Sequence, residues 1–164
     1  MLKDGDVAPD FELPEDAEKS HRLTGLVGRP VVLYFYPKDD TSGCTIEAKD
    51  FSCLIGEFKD EGTEVIGVSP DSAASHRKFR AKHDLSVRLV ADESKAVINA
   101  YGVWAEKTMY GRKYMGVERS TFLIDKTGRI ARAWRNVKVP GHAQEVLAAV
   151  KALRLRAEAG RPIT

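Results

Sequence analysis

At 164 residues the chain has room for one domain with a sizeable core. A hydrophobic content of 43% against 30% charged residues is that of a soluble globular protein, and no apolar stretch approaches the roughly 20 residues of a membrane helix. The formal charge is +2, from 26 basic and 24 acidic residues mixed along the chain, and without a basic block rich in aromatic residues nucleic-acid binding has no support.

The opening, Met1 to Asp6, is polar and acidic. A secretory signal would need a basic start and about 7–15 apolar residues, so a cytoplasmic location is expected. Val31 to Tyr36 is a continuous apolar, β-branched and aromatic run, the pattern of a central strand covered on both faces. An amphipathic helical pattern follows from Cys44 to Glu61. Further strands are expected at Glu64 to Ser69 and Val87 to Ala91. Helices are expected at Ser72 to His83, led in by Pro70 and Asp71, and at Lys95 to Tyr101. Trp104 to Gly116 has neither period and reads as a long loop, either a mobile surface connection or a substrate-side or partner-side element.

Strands at Thr121 to Asp125 and Ile130 to Arg135 flank Asp125-Lys126-Thr127-Gly128, a hairpin turn, so the sheet is expected to be mixed. Pro140-Gly141 opens a last helix, His142 to Arg156. Its Lys151, Arg154 and Arg156, with Arg161 beyond, read as a solvated charged face. This alternation implies an α/β sandwich, and no repeat or linker divides residues 1–164.

Two cysteines are too few for a disulfide framework and lack the paired spacing of a zinc site, so reactivity is the better use of them and no structural metal is expected. Cys44 stands in Pro-Lys-Asp-Asp-Thr-Ser-Gly-Cys, where the first strand hands over to a helix. A thiol in the first turn of a helix meets unpaired backbone N–H groups and the positive end of the dipole, which favour thiolate over thiol. His21, His76, His83 and His142 show no spacing of a metal site or a triad, and each is expected to be partly exposed.

Pro-x-x-x-Thr-x-x-Cys behind a buried strand, with Arg119 before a later strand, resembles the peroxiredoxins, in their bacterioferritin-comigratory or Q-type branch. The likeness also runs through Ala8-Pro9-Asp10-Phe11, Tyr34 to Asp40, Gly67-Val68-Ser69-Pro70-Asp71 and Gly116 to Asp125. Each segment is weak alone, and their shared order is specific. The resemblance implies one thioredoxin-like domain over residues 1–164, with a mixed central sheet flanked by helices and an N-terminal extension up to about Gly28. It implies a thiol-dependent peroxidase acting on hydrogen peroxide and organic hydroperoxides without cofactor or metal. The reductant would be thioredoxin, glutaredoxin or a small thiol, and the protein a monomer or weak dimer.

Peroxide cleavage by a thiolate places new negative charge on the departing oxygen, so the site must supply one anion and stabilise another. Cys44 is the expected nucleophile. Thr41 can offer its hydroxyl to the sulfur or the peroxide, its plainer use being a helix N-cap, and backbone N–H groups near Gly43 and Cys44 can face developing charge. Pro37 would shield the sulfur and fix the turn. The permanently charged, planar Arg119 is the expected electrostatic stabiliser, against a surface pairing with Glu118 or Asp125. Glu47, three residues after Cys44 on the same helix side, matches an acidic position that orients the arginine in this family.

Many relatives carry a resolving cysteine five residues after the nucleophile, where this chain has Lys49. Cys53 lies nine residues on, ~14 Å along a continuous helix and ~180° around it, whereas a disulfide needs Cα atoms within about 7 Å. Helical projection puts Cys44, Ala48, Phe51, Ile55 and Phe58 on one face and Ile46 with Cys53 on the other. Cys53 is ranked as uninvolved or intermolecular ahead of intramolecular resolution. A one-cysteine cycle is therefore expected, with a Cys44–Cys53 cycle and a redox sensor or holdase as alternatives. A disulfide oxidoreductase is disfavoured, because no Cys-x-x-Cys is present.

Overall fold

In a computed structural model, which describes residues 1–159 apart from positions 17 and 27, the chain opens with a short antiparallel hairpin. Its strands are β1 (Glu12–Pro14) and β2 (Ser20–Arg22), and a 3-10 turn at Leu23–Leu26 follows. Next come β3 (Val31–Phe35), α1 (Ser42–Cys53), α2 (Ile55–Asp60), β4 (Glu64–Ser69), α3 (Ala73–His83), β5 (Arg88–Ala91) and α4 (Ala96–Ala100). A second hairpin, β6 (Trp104–Met109) and β7 (Arg112–Val117), leads to β8 (Ser120–Ile124), β9 (Ile130–Trp134) and α5 (His142–Ala159).

The main sheet has the order β5-β4-β3-β8-β9, with β3, β4 and β5 mutually parallel, β8 antiparallel to β3, and β9 antiparallel to β8. Every residue of β3 is buried, because its alternating side chains serve two cores. Val31, Leu33 and Phe35 meet Phe11, Leu13 and Leu23 of the N-terminal segment and Ile98 and Tyr101 around α4. On the other face Val32, Tyr34 and Tyr36 pack with Phe51, Phe58, Phe79 and Val146 from the helices. The expected mixed α/β sandwich and the N-terminal extension are both present. Among the described residues no helix is long and apolar enough to cross a membrane.

Register does the positioning. Phe35, the last residue of β3, lies opposite Ser120, the first of β8. The loop leaving β3 toward Cys44 and the segment entering β8 from Arg119 therefore emerge side by side. Tyr36 still donates its N–H to Val68 C=O (3.1 Å), and Pro37, with no N–H to give, ends the pairing.

Three expectations are corrected. The single helix expected from Cys44 to Glu61 is two helices, broken at Leu54. A tertiary contact competes for the helix there: Ser86 Oγ donates to the Ser52 carbonyl (3.2 Å), while Ser52 Oγ accepts from the N–H groups of Ser86 and Val87 (both 3.1 Å). The loop expected at Trp104 to Gly116 is the β6–β7 hairpin, closed by Tyr110 (φ 52°) and Gly111 (φ 77°), both left-handed. Its strands are largely exposed, so no apolar alternation marks them, and cross-strand pairing holds them instead.

The third correction concerns histidine. His21 and His83 are half-buried as expected, but His76 and His142 are buried. The solvated face expected of the last helix holds for Lys151, Arg154 and Arg156, all exposed, and Arg161 lies outside the described residues.

His142 shares a hydrogen bond with the Thr121 hydroxyl (2.8 Å) and stands edge-on to the rings of Phe51 and Trp134. Burial pushes its pKa down to about 4. The unfolded chain therefore takes up this proton first on acidification, near pH 6.5. The contribution of His142 is present above that pH and is lost as pH falls toward 4, by up to about 3 kcal/mol. Urea unfolding of the protein and of a His142→Gln variant at a series of pH values should show this loss in the wild type alone, and parallel curves would contradict it.

Candidate active site

The chain crosses from β3 to α1 through Pro37 to Thr41, with Asp40 in the left-handed region (φ 60°). Thr41 sits at the N-cap with extended backbone angles, and its carbonyl receives the first helical bond from Thr45 N–H (2.9 Å). The Thr41 side chain caps no helical N–H. Its hydroxyl donates back to the Lys38 carbonyl (2.9 Å). With its hydrogen committed there, the Thr41 oxygen offers lone pairs, making it an acceptor at the mouth of the helix. The N–H groups of the first turn, where Cys44 stands, have no helical acceptor.

Cys44 is only 2% exposed, since its helix face, shared with Ala48 and Phe51, is pressed onto the sheet. Arg119 reaches it from the start of β8. Nη2 donates to Cys44 Sγ (3.3 Å), and Nη1 donates to Glu47 Oε1 (2.6 Å). The arginine is pinned at its backbone, because Val137 N–H donates to its carbonyl (2.9 Å) and the preceding Glu118 N–H donates to Val103 C=O (2.7 Å). Gly43 eases the approach: a Cβ there would lie 3.2 Å from Arg119 Nη2, tighter than ordinary packing, and the guanidinium would have to give by a few tenths of an ångström.

Glu47 is also 2% exposed, and its second oxygen, Oε2, is buried with no partner. Burial outweighs the attraction of Arg119 and raises its pKa to about 7. On the arginine, burial works against the charge, and Glu47 and Cys44 together outweigh it, so the guanidinium is held as a cation. Lys107, half-buried on β6, is a further cation within electrostatic reach of Arg119 and Cys44. Desolvation first, and then Arg119, push its ammonium down.

Of the residues singled out from sequence, Arg119 is thus in direct contact with both Cys44 and Glu47, and Pro37 and Thr41 lie on the loop that leads into their helix. Arg119 pairs with Glu47 rather than with Glu118 or Asp125. Cys53 is not brought in. It is exposed at the far end of α1, and both cysteines are free. Sequence reasoning placed Lys107 in a segment read as a surface connection or a substrate-side or partner-side element and gave it no role of its own, and it missed the room that Gly43 leaves for Arg119. A groove lies elsewhere, by Pro30, Gly62, Lys126 and Leu153 at the opposite end of β3, away from the contacts of Arg119 with Cys44 and Glu47.

Residues 5–133 match the AhpC/TSA family. The chain is 47% identical over 147 residues to the peroxiredoxin Bcp of Bacillus subtilis, covering 90% of this chain and 94% of that protein. It is 46% identical to the peroxiredoxin Bcp of Xanthomonas campestris, covering 88% and 92%. Among solved structures it is similar to the X. campestris bacterioferritin comigratory protein, described with its alkyl peroxide reduction activity (46% identity, TM-score 0.79, covering 83% of this chain and 87% of that one). It is similar as well to a Xylella fastidiosa PrxQ variant (42% identity, TM-score 0.87, covering 93% and 97%).

The raised carboxyl of Glu47 has a measurable consequence. The folded protein holds this proton up to about pH 7, whereas the unfolded chain releases it near 4.5. The group's contribution to stability is therefore full below 4.5 and lost as pH rises through 7, about 3 kcal/mol in all. Between pH 4.5 and 8 the unfolding free energy of Glu47→Gln should shift relative to wild type by that amount in favour of the variant. A gap independent of pH would refute the assignment.

Proposed function

The chain belongs to the AhpC/TSA family of peroxiredoxins, in its bacterioferritin-comigratory, Q-type branch, and is a thiol-dependent peroxidase; from that premise we propose a cycle carried by Cys44 and completed by an external thiol. The observation that carries the proposal is the single guanidinium of Arg119, in contact with Cys44 Sγ and Glu47 Oε1 at once.

In the first step the Cys44 thiolate attacks the nearer oxygen of a hydroperoxide in line with the O–O bond. An S–O bond forms, the O–O bond breaks, and the electron pair leaves on the distal oxygen. That oxygen takes a proton and departs as water or an alcohol, while sulfur is oxidised to sulfenic acid. Arg119 stabilises charge that moves from sulfur to the leaving oxygen, a task suited to a group with several donors in a plane. Glu47 fixes the other edge of that plane. Thr41, its hydrogen held by Lys38, accepts from the peroxide O–H and so orients it, and Pro37 closes the turn against water.

In the second step a reductant thiol attacks the sulfenic sulfur, releasing water and leaving a mixed disulfide. A second thiol then frees Cys44, so two thiols are oxidised per peroxide. Thioredoxin, glutaredoxin or a small thiol would serve, with the whole chain, residues 1–164, working as one thioredoxin-like domain in the cytoplasm, as a monomer or weak dimer. The external route is favoured because Cys44 and Cys53 lie nine residues apart on one helix, ~14 Å along its axis. The rival Cys44–Cys53 cycle needs α1 to unwind. The break at Leu54, one residue beyond Cys53, is the observation in its favour.

Stopped-flow oxidation by hydrogen peroxide should slow about a hundredfold or more in Arg119→Ala, the usual cost of losing such a donor; a change within twofold would discard the role given to Arg119. Mass spectrometry after a stoichiometric peroxide pulse should show a trappable sulfenic acid on Cys44. Loss of two hydrogens with Cys44 and Cys53 linked in one chain would establish the two-cysteine cycle instead.

A further inference from the structure

The loop from Pro37 to Thr41 is anchored at a buried point that touches neither Cys44 nor Arg119. The side chain of Asp39 is 4% exposed and that of His76, on α3, 1%; His76 Nδ1 lies 2.7 Å from Asp39 Oδ2. Tyr36 donates its hydroxyl to Asp39 Oδ1 (2.6 Å), and Ser75 donates its hydroxyl to Oδ2 (2.8 Å). The Asp39 N–H donates to Asp71 Oδ2 (2.8 Å), itself held by the Ser69 hydroxyl (2.7 Å). The far nitrogen of the ring, Nε2, meets the carbonyl of Val90 on β5 (3.0 Å).

Both nitrogens of the ring are thus engaged. A backbone carbonyl only accepts, so Nε2 carries a hydrogen. At the near nitrogen, Nδ1 faces Asp39 Oδ2 at 2.7 Å, with the Tyr36 hydroxyl at 3.3 Å. The ring is a two-ended clamp, with one end on the sheet at β5 and the other on the loop before α1. Asp39, Asp71 and His76 are also the group whose donor atoms converge within 4.8 Å, yet these atoms are spent on each other, on Tyr36 and on serine hydroxyls, so no metal is assigned to them.

We propose that the Asp39–His76 pair is the latch that positions the Pro37–Thr41 loop for peroxide attack. It holds Thr41 and the first turn of α1 in the geometry that reduces peroxide, and its release exposes Cys44 to bulky thiols and electrophiles. The proposal rests on Cys44 being the peroxidatic sulfur. His76 and Asp39 are positioning residues, acting through Thr41 and the start of α1. The buried sulfur must be uncovered before any large reductant reaches it, so the latch sets the balance between the two halves of the cycle.

The two ends of the clamp can be separated by substitution at His76. Asn places an amide donor where Nδ1 stands and loses Val90; Gln can reach Val90 and loses Asp39. In a Cys53→Ser background, His76→Gln should react with hydrogen peroxide about tenfold more slowly than the parent, the effect of one hydrogen bond to a charged group. Its Cys44 should be alkylated by a bulky maleimide about tenfold faster. His76→Asn should stay within about threefold of the parent in both rates.

Opposed movement of the two rates in Gln, spared in Asn, supports the latch; equal changes in both variants, or none in either, would overturn it. Should neither variant fold, Ser75→Ala, which removes one donor to Asp39, must move the two rates in the same opposed directions, and unchanged rates would overturn the latch as well. A parent protein whose Cys44 does not consume peroxide would instead defeat the function on which the latch rests.

Discussion

One guanidinium organises this molecule. Arg119 joins a sulfur in the first turn of α1 to a carboxylate one turn further along, and it does so from a strand more than seventy residues away. Its reach depends on the pairing of β3 with β8, which sets Phe35 opposite Ser120 and so brings the exit of one strand to the entrance of the other. A slip of one residue in that register would turn Arg119 to the opposite face of the sheet. The buried aromatic ladder of β3, serving both cores, is thus what holds the site in register.

The same contact carries a standing cost. Glu47 is buried with one oxygen unpartnered, and desolvation outweighs its attraction to Arg119. Replacing such an ion pair by apolar packing is often neutral or stabilising in other proteins, so this pair is better understood through orientation than through stability. Held at both edges, the guanidinium keeps Nη2 on the sulfur, and Gly43 leaves the space it occupies. The loop beyond Pro37 follows the same design, with Asp39 and His76 buried together to fix backbone that bears Thr41.

Much of this was legible in the chain. The continuous run at Val31 to Phe35 reads as a doubly covered strand because no polar residue interrupts it, and the Asp125 to Gly128 turn reads as a hairpin because its residues tolerate the required angles. Cys44, Glu47 and Arg119 were legible through motif order, which local spacing alone does not supply for an arginine so distant. The β6–β7 hairpin was not legible, since exposed strands carry no burial pattern and Tyr110 is an uncommon residue for a left-handed turn position. Nor was the break at Leu54, where Ser52 answers to Ser86 across the fold, nor the burial of His76, whose neighbours Arg77 and Lys78 are charged and exposed.

Sequence by itself determined the strands of the main sheet and most of its helices, where the Cys44 thiol stands relative to a helix start, and which family the motif resembles, because backbone preference, apolar period and local turn residues act over a few positions. Tertiary structure alone decided the distances at which Arg119 meets the sulfur and Glu47, that Thr41 turns its hydroxyl to Lys38, and that His76 clamps Asp39. These are meetings between side chains brought together by strand register and burial, and no short-range rule contains the distances that make them.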